Sequence, residues 1–123
     1  MQTKNLWEQT KEIIEVYYWK HGDWLMNILG YSRFPSIKDI KRDYVKLPIE
    51  FYYNKDIMVW NNLETVFIKL NGNQGPNPLG TVLMQSWLRA NGLRHTSMSV
   101  GDVVKIGTQY WVVDDVGFKE IED

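Results

Sequence analysis

The sequence predicts an α+β fold in a single domain, and three observations support this prediction. Helical and strand-like patterns follow one another in the order helix, optional strand, helix, β-meander, helix, β-hairpin, and the alternating βαβ units of a parallel sheet are missing. The length of 123 residues matches one domain. Six Trp and seven Tyr provide enough apolar surface for a core without crosslinks. We therefore expect an antiparallel β-meander and a C-terminal β-hairpin packed with about three helices.

The composition excludes several classes of function. The formal net charge is −1, so the sequence has neither the excess of basic residues typical of a non-specific DNA binder nor the excess of acidic residues typical of a DNA mimic. Without cysteine there are no disulfides, thiolate nucleophiles or Cys-ligated metals. The N-terminal region interleaves charges with apolar residues, unlike a signal peptide, and no apolar run reaches the ~18–20 residues of a membrane span. The sequence predicts a soluble cytoplasmic protein with no membrane segment and no cofactor.

The first segment is predicted to be a helix over residues 3–20. Its apolar stripe, at spacings of three and four, comprises Leu6, Trp7, Ile13, Ile14, Tyr17, Tyr18 and Trp19. Because Met26 could be an alternative start, residues 1–22 are interpreted as an optional extension and residues 27–123 as the core. The stripe is wider than one core contact needs, so this helix is the predicted surface for a homo-oligomer.

A short helix and a β-meander are predicted next. The segment DWLMNILGYSRFP is interpreted as a strand or a buried linker. Ser36 would cap a helix in SIKDIKRDYVKL, and Pro48 would end it. Three strands, IEFYY, IMVWN and LETVFIKL, would then form the meander, separated by turns rich in Asn.

The loop NGNQGPNP precedes the third predicted helix. Asn77 is suited to the N-cap and Pro78 to the first helical position, and Gly92 would end the helix. The predicted inward side chains are Leu79, Val82, Leu83, Trp87 and Leu88. The loop lacks both the Gly-Lys-Ser/Thr ending of a P-loop and the spacing of a dinucleotide-binding loop, so it is interpreted as a connector.

The segment RHTSMSVGD, residues 94–102, gathers a histidine, three hydroxyl side chains and an acid. A catalytic interpretation makes His95 the base, Ser97 or Ser99 the nucleophile, and Asp102 the orienting acid. Such triads are assembled in space, however, and adjacency in sequence does not support one.

A structural interpretation explains more of this segment. Gly101 and Asp102 would form a tight turn that feeds a strand over residues 103–106, which pairs with residues 110–113. The hydroxyls would bond backbone groups near the turn. The residues of this structural motif are His95, Ser97, Ser99, Gly101 and Asp102.

The same region resembles sequences of known type. RHTSMSVGDVV followed by YWVVDDVGFKEI resembles the C-terminal part of small uncharacterised proteins of phages and bacteria, and is similar to the YodL-like domains of mobile elements. The resemblance is confined to the C-terminal part of the chain. It implies a setting in a phage or mobile element and implies no particular activity. A weaker likeness, from the Gly-Asp turn alone, is to the small barrels of RNA-binding PUA and ASCH domains.

A basic stretch on the second predicted helix suggests an alternative function. The candidate nucleic-acid contacts are Lys38, Lys41, Arg42, Lys46, Arg94 and His95. The first four would lie largely along one helix face and could contact phosphates. Asp39 and Asp43 alternate with them and can form ion pairs with them, which favours an ordinary solvated face.

These observations lead to two hypotheses. The only two histidines, His21 and His95, have no partner at ligand spacing, so no metal site is predicted. Because neither a catalytic nor a metal-binding set is evident, the leading hypothesis is a non-enzymatic accessory protein of a phage or mobile element. It would act in the host cytoplasm through contact with a protein partner. The alternative is a nucleic-acid-binding module that uses the basic helix face.

Overall fold

The computed structural model describes residues 13–19, 34–72, 77–93, 97–114 and 116–122. In these residues five antiparallel strands form one sheet in the order β2-β1-β3-β4-β5. The strands are β1 (Ile13–Trp19), β2 (Tyr44–Tyr52), β3 (Val103–Ile106), β4 (Gln109–Val113) and β5 (Phe118–Ile121). The helices are α1 (Ile37–Asp43), α2 (Val59–Leu70) and α3 (Val82–Ala90), with a short 3-10 helix at Pro78–Gly80. The predicted α+β class is confirmed.

Residues 13–19 form a strand, so the predicted N-terminal helix is wrong over this segment. Six of its seven residues are β-branched or aromatic, a composition that favours a strand. Burial alternates along it, with Ile14, Val16 and Tyr18 buried. Because β1 pairs with β2 on one side and β3 on the other, it lies inside the sheet. It therefore belongs to the core and not to an extension, and it cannot supply the helical stripe predicted for a homo-oligomer. The rest of that stripe lies outside the described residues.

Helix α1 begins where the sequence predicts and ends earlier. Ser36 Oγ accepts the Asp39 N–H at 3.1 Å, and the Ser36 N–H donates to Asp39 Oδ2 at 3.0 Å, which together form a capping box. Strand β2 follows directly, and Pro48, predicted to end the helix, lies within this strand. The proline is tolerated because β2 is an edge strand, and the β1–β2 register shifts close to it. Of the segment DWLMNILGYSRFP, only the last two residues are described.

The second and third predicted strands of the meander are wrong, because most of this region is helix α2. The buried positions of the helix are Asn62, Leu63, Val66 and Leu70, which recur with a helical period. The side chain of Asn62 fixes its first turn. Asn62 Oδ1 accepts the Asn54 N–H at 2.8 Å, and Nδ2 donates to the carbonyls of Asn54 and Met58, both at 3.0 Å. This amide therefore ties the start of α2 to the end of β2.

The third predicted helix is present in two parts. Asn77 caps the 3-10 helix through its Oδ1, which accepts the Leu79 N–H at 2.8 Å, and Thr81 then caps α3. Of the predicted inward side chains, Leu79 and Leu88 are buried and Trp87 is half-buried. Val82 and Leu83, however, are 82% and 77% exposed. The inward orientation predicted for these two residues is wrong, since the helix begins only at Val82 and its first turn projects beyond the core.

The C-terminal strands form the meander of this fold. β3 and β4 pair antiparallel as predicted, and β5 continues the pattern along β4. Val103 and Val104 are both fully buried, so the start of β3 is covered on both faces of the sheet.

Two apolar clusters cover the two faces of the sheet. One joins Ile14, Val16, Val104 and Ile106 to side chains of α2 and α3. The other joins strand side chains such as Val103 to Ile40 of α1. No helix in the described part of the chain is long and apolar enough to cross a membrane.

Candidate functional site

The predicted turn before β3 contains a buried carboxylate. Asp102 is 1% exposed, and its Oδ1 accepts the backbone N–H of Trp19 at 3.1 Å. Its Oδ2 accepts the Ser99 N–H at 2.9 Å and lies 3.3 Å from Ser99 Oγ. A single side chain therefore ties the end of β1 to the turn and satisfies two backbone N–H groups.

Gly101 gives this turn its backbone shape. Its φ of 97° lies in the left-handed region, where a β-branched residue would be strained. The Gly101 N–H donates to the Val113 carbonyl at 2.9 Å, and the Gly101 carbonyl accepts the Tyr44 hydroxyl at 2.6 Å. The predicted tight turn is therefore present, and it connects β4 and β2 to the start of β3.

The catalytic interpretation gains no support from these positions. Ser97 is exposed, and Ser99 Oγ contacts the Asp102 carboxylate and not the backbone groups that were predicted. Both Asp102 oxygens already accept backbone N–H groups. His95 lies outside the described residues. The geometry around Asp102 is that of a structural turn.

The candidate nucleic-acid contacts do not share one helix face. Lys38, Lys41 and Arg42 lie on α1, Lys46 lies on β2, and Arg94 and His95 lie outside the described residues. The prediction that Lys46 belongs to the helix is wrong, because the chain becomes a strand at Tyr44.

Carboxylates compensate part of this positive charge. Arg42 Nη2 lies 2.9 Å from Asp39 Oδ1 and 2.9 Å from Asp43 Oδ2. Lys46 Nζ lies 2.8 Å from Glu15 Oε2. Two of the four described candidates are therefore in ion pairs, which reduces the charge available for phosphates.

Glu15 is the centre of a polar cluster on β1. Besides Lys46, the Lys105 Nζ lies 3.7 Å from its carboxylate, and the Tyr17 hydroxyl donates to it at 3.2 Å. Burial acts to raise the pKa of Glu15, but the hydrogen bond from Lys46 and the charges of both lysines outweigh it, so the pKa lies below the usual value. Burial and the Glu15 charge raise the pKa of Tyr17, which keeps this tyrosine a donor. The cluster is a network of ion pairs that stabilises the sheet.

An open apolar groove lies between α2 and the turn that joins β4 to β5. It has a volume of about 490 Å³ and is lined by Glu64, Phe67, Ile68, Val113, Asp114, Gly117 and Phe118. We call this feature the α2–turn groove.

Two aromatic side chains, Phe67 and Phe118, line the groove, and Trp60 packs against Phe118. The Phe118 ring meets Trp60 edge-on at 5.8 Å between centroids and Phe67 edge-on at 6.3 Å. Gly117 has a φ of 75°, and a Cβ placed there would lie 2.4 Å from the Trp60 ring. The Trp60 indole therefore lies directly against the turn, and only glycine fits beneath it.

Apolar side chains beside the groove are exposed to solvent. Val116, next to Gly117 in the turn, is 89% exposed, and Trp60 is 39% exposed. Such a group of exposed apolar side chains around a concave surface is typical of a protein contact site.

A second concave surface runs along β5. Its lining comprises Phe34, Pro35, Ser36, Lys119, Glu120, Ile121 and Glu122, around a volume of about 520 Å³. Charges of both signs are mixed there, so this surface selects less clearly for one kind of partner. No cluster of His, Cys, Asp or Glu suited to a metal ion occurs within the described ranges.

Sequence reasoning missed the α2–turn groove because residues 59–70 were interpreted as strands. The helical recurrence of Asn62, Leu63, Val66 and Leu70 is the signal that could have revealed α2. Once α2 is a helix, Glu64, Phe67 and Ile68 lie on a flank that the core does not fully cover.

The chain is similar to an uncharacterised protein, R785, of Acanthamoeba polyphaga mimivirus. The two are 49% identical over 59 residues, which cover 48% of this chain and 52% of that protein. The match therefore spans about half the length of the viral relative. No protein-family model matches the chain, and no solved structure matches it.

Proposed function

We propose that this protein is a non-enzymatic viral or mobile-element accessory protein that acts by binding another protein in the cytoplasm of the host. The α2–turn groove is the proposed contact surface. The similarity to a mimivirus protein supports a viral setting. The phage setting rests on the sequence resemblance alone.

One observation carries the proposal: apolar side chains are exposed around a concave apolar surface. Phe67, Ile68 and Phe118 line the groove, and the partly exposed Trp60 packs against the lining residues Gly117 and Phe118. The exposed Val116 directly precedes Gly117 in the chain. Exposed aromatic and aliphatic side chains next to a pocket are the kind of anchor that contributes most to protein interfaces. The edge-on contacts of Phe118 with Trp60 and Phe67 hold the rings in fixed positions, which lowers the entropy cost of binding.

The structural role of Asp102 supports a non-enzymatic function. The carboxylate that a triad would need bridges two backbone segments and is 1% exposed. The described lining of the groove includes the acids Glu64 and Asp114 and no histidine, serine or lysine. The described lining therefore holds no hydroxyl nucleophile beside a histidine base.

Site-specific photo-crosslinking tests the proposal. A photoreactive amino acid replaces Val116, which precedes the groove residue Gly117, or Val82, which is similarly exposed on α3. Crosslinking is carried out in the cells in which the gene is naturally expressed, and each product is identified by mass spectrometry. We expect one protein to be crosslinked from position 116 and not from position 82, and we expect Ile68→Ser to abolish that product.

Two results would contradict the proposal. One is crosslinking of the same proteins from both positions, with no effect of Ile68→Ser. The other is turnover of a substrate by the purified protein that is lost on replacing Ser99 or Asp102 with the fold intact.

A further inference from the structure

We infer that a pocket between the end of β2 and helix α2 binds a small aromatic carboxylate, that is, a single ring with one carboxylate group. We call this feature the β2–α2 pocket, and its volume is about 190 Å³. It lies on the flank of α2 that carries Asn62, Thr65 and Lys69, whereas Glu64 and Ile68 line the α2–turn groove. The inference is therefore independent of the proposed protein contact.

The bottom of the β2–α2 pocket is apolar and lies against the core. Ile14 and Val66, which line it, are each 1% exposed, and the lining residues Phe51 and Ile57 are half-buried. A ring that leaves water for such a surface gains free energy in proportion to the apolar area that it buries. The volume is well below the ~300–1,000 Å³ of sites for drug-sized ligands and closer to the ~150 Å³ of an apolar cavity that holds benzene. The size of the pocket therefore selects a ligand with one ring.

The mouth of the pocket is polar and carries a positive charge. Tyr52, Asn54, Thr65 and Lys69 line the pocket and are exposed to solvent. The Lys69 Nζ lies 5.7 Å from the centroid of the Phe51 ring, and it forms no ion pair within the described part of the chain. The lining contains no acid, unlike the lining of the α2–turn groove, which contains two acids and no lysine. The mouth therefore favours an anion.

The amide of Asn54 provides a second donor at the mouth. Its Oδ1 accepts the Asp56 N–H at 2.9 Å, which orients the side chain, and its Nδ2 donates to no group among the described residues. The Nδ2 of Asn62, in contrast, donates to two backbone carbonyls, so this amide shapes the pocket and has no proton left for a ligand. One ammonium and one amide suit the two oxygens of a carboxylate, whereas a phosphate has three oxygens and up to two charges to satisfy.

Titration of the isotope-labelled protein with benzoate, followed by NMR, tests the inference. We expect chemical-shift changes that saturate at Asn54, Asn62 and Val66, and none at Gly117 in the α2–turn groove. The Kd should be roughly millimolar, as expected of a ligand with about nine non-hydrogen atoms. Acetate lacks the ring and should bind at least about tenfold more weakly. Benzyl alcohol lacks the charge and should bind about two- to fivefold more weakly, the range expected of one exposed charge pair.

Two matched variants identify the source of the charge preference. Lys69→Met removes the ammonium and keeps the apolar stem, and Lys41→Met is the same change at an exposed lysine of α1. The spectrum of each variant first shows that it is folded. We expect Lys69→Met to weaken benzoate binding about two- to fivefold and to abolish the preference for benzoate over benzyl alcohol, and Lys41→Met to change neither.

Three results would overturn the inference. The first is a set of shift changes that do not saturate or that spread evenly over the protein surface. The second is equal affinity of the wild type for benzoate and for either acetate or benzyl alcohol. The third is an equal effect of Lys69→Met and Lys41→Met on benzoate binding. The proposed protein contact would stand after any of them, because the α2–turn groove lies on the other flank of α2.

Discussion

Replacing Asp102 by alanine should destabilise the protein strongly, because its carboxylate bonds two backbone segments inside the fold. The change removes the acceptors of the Trp19 N–H at 3.1 Å and the Ser99 N–H at 2.9 Å. A hydrogen bond to a charged group contributes roughly 1.5–3 kcal/mol to stability. Two such bonds give an expected loss of about 3–6 kcal/mol in the free energy of unfolding. This is a large part of the ~5–15 kcal/mol that holds a typical domain folded.

Urea unfolding followed by tryptophan fluorescence measures this loss. Asp56→Ala provides the control, since Asp56 is an exposed acid in the turn before α2 and its replacement should change the free energy of unfolding by less than about 0.5 kcal/mol. Asp102→Asn keeps one acceptor and should fall between alanine and the wild type. If Asp102→Ala cost less than about 1 kcal/mol, the structural role assigned to this carboxylate would be refuted.

Three further predictions concern the turn, the sheet and the alternative function. Gly117→Ala should lower the free energy of unfolding by more than about 1 kcal/mol, because φ is positive there and the new Cβ would meet the Trp60 ring. Gly80→Ala is the control: its Cβ meets no atom within 4 Å, so it should be nearly neutral in the same urea assay. Because the pKa of Glu15 is lower in the folded protein, its contribution to the free energy of unfolding is present above the ordinary pKa of 4.5 and is lost as the pH falls through the lower folded pKa. Glu15→Gln should therefore make the free energy of unfolding depend less on pH in this acidic range. An unchanged pH dependence in the variant would contradict this role of Glu15. Fluorescence anisotropy with oligonucleotides at ~50 mM salt should show no binding, because two of the four described basic candidates, Arg42 and Lys46, are already in ion pairs. Binding whose affinity falls steeply as the salt concentration rises would support the nucleic-acid alternative.

Two helix starts and the turn before β3 could be predicted from local sequence signals. Asn77 and Ser36 have side chains that cap the following helix, and these starts are as predicted. The turn at Gly101 and Asp102 precedes a strand whose pairing follows from the short connection to β4. In these places the chemistry of one or two residues determines the local structure.

The N-terminal strand and α2 could not be assigned as easily, because two periods coexist in each. Ile13, Ile14 and Tyr17 fit a helical stripe, but Ile14, Val16 and Tyr18 also fit the alternation that the sheet uses. In α2 the β-branched and aromatic residues suggest strands, and burial against the sheet selects the helix instead.

The groove depends on both of these long-range outcomes. Phe67 meets Phe118 only because α2 packs beside the β4–β5 turn, and these residues are far apart in the sequence. Local sequence patterns predict neither this ring contact nor the presence of Glu64 and Asp114 in the lining of the groove. The sequence predicts that Val82 and Leu83 face inward, yet both are exposed. Periodicity indicates which side of a helix is apolar, but it does not indicate where along the helix the core ends.

The most direct test of the protein-binding function is the affinity of the partner identified by crosslinking for three purified proteins. These are the wild type, Ile68→Ser in the groove and Leu83→Ser outside it, each first shown by urea unfolding to be folded. We expect Ile68→Ser to raise the Kd at least about tenfold, equivalent to ~1.4 kcal/mol, and Leu83→Ser to leave it unchanged. Equal affinities for the wild type and Ile68→Ser, or a loss confined to Leu83→Ser, would contradict the assignment of the α2–turn groove as the contact surface.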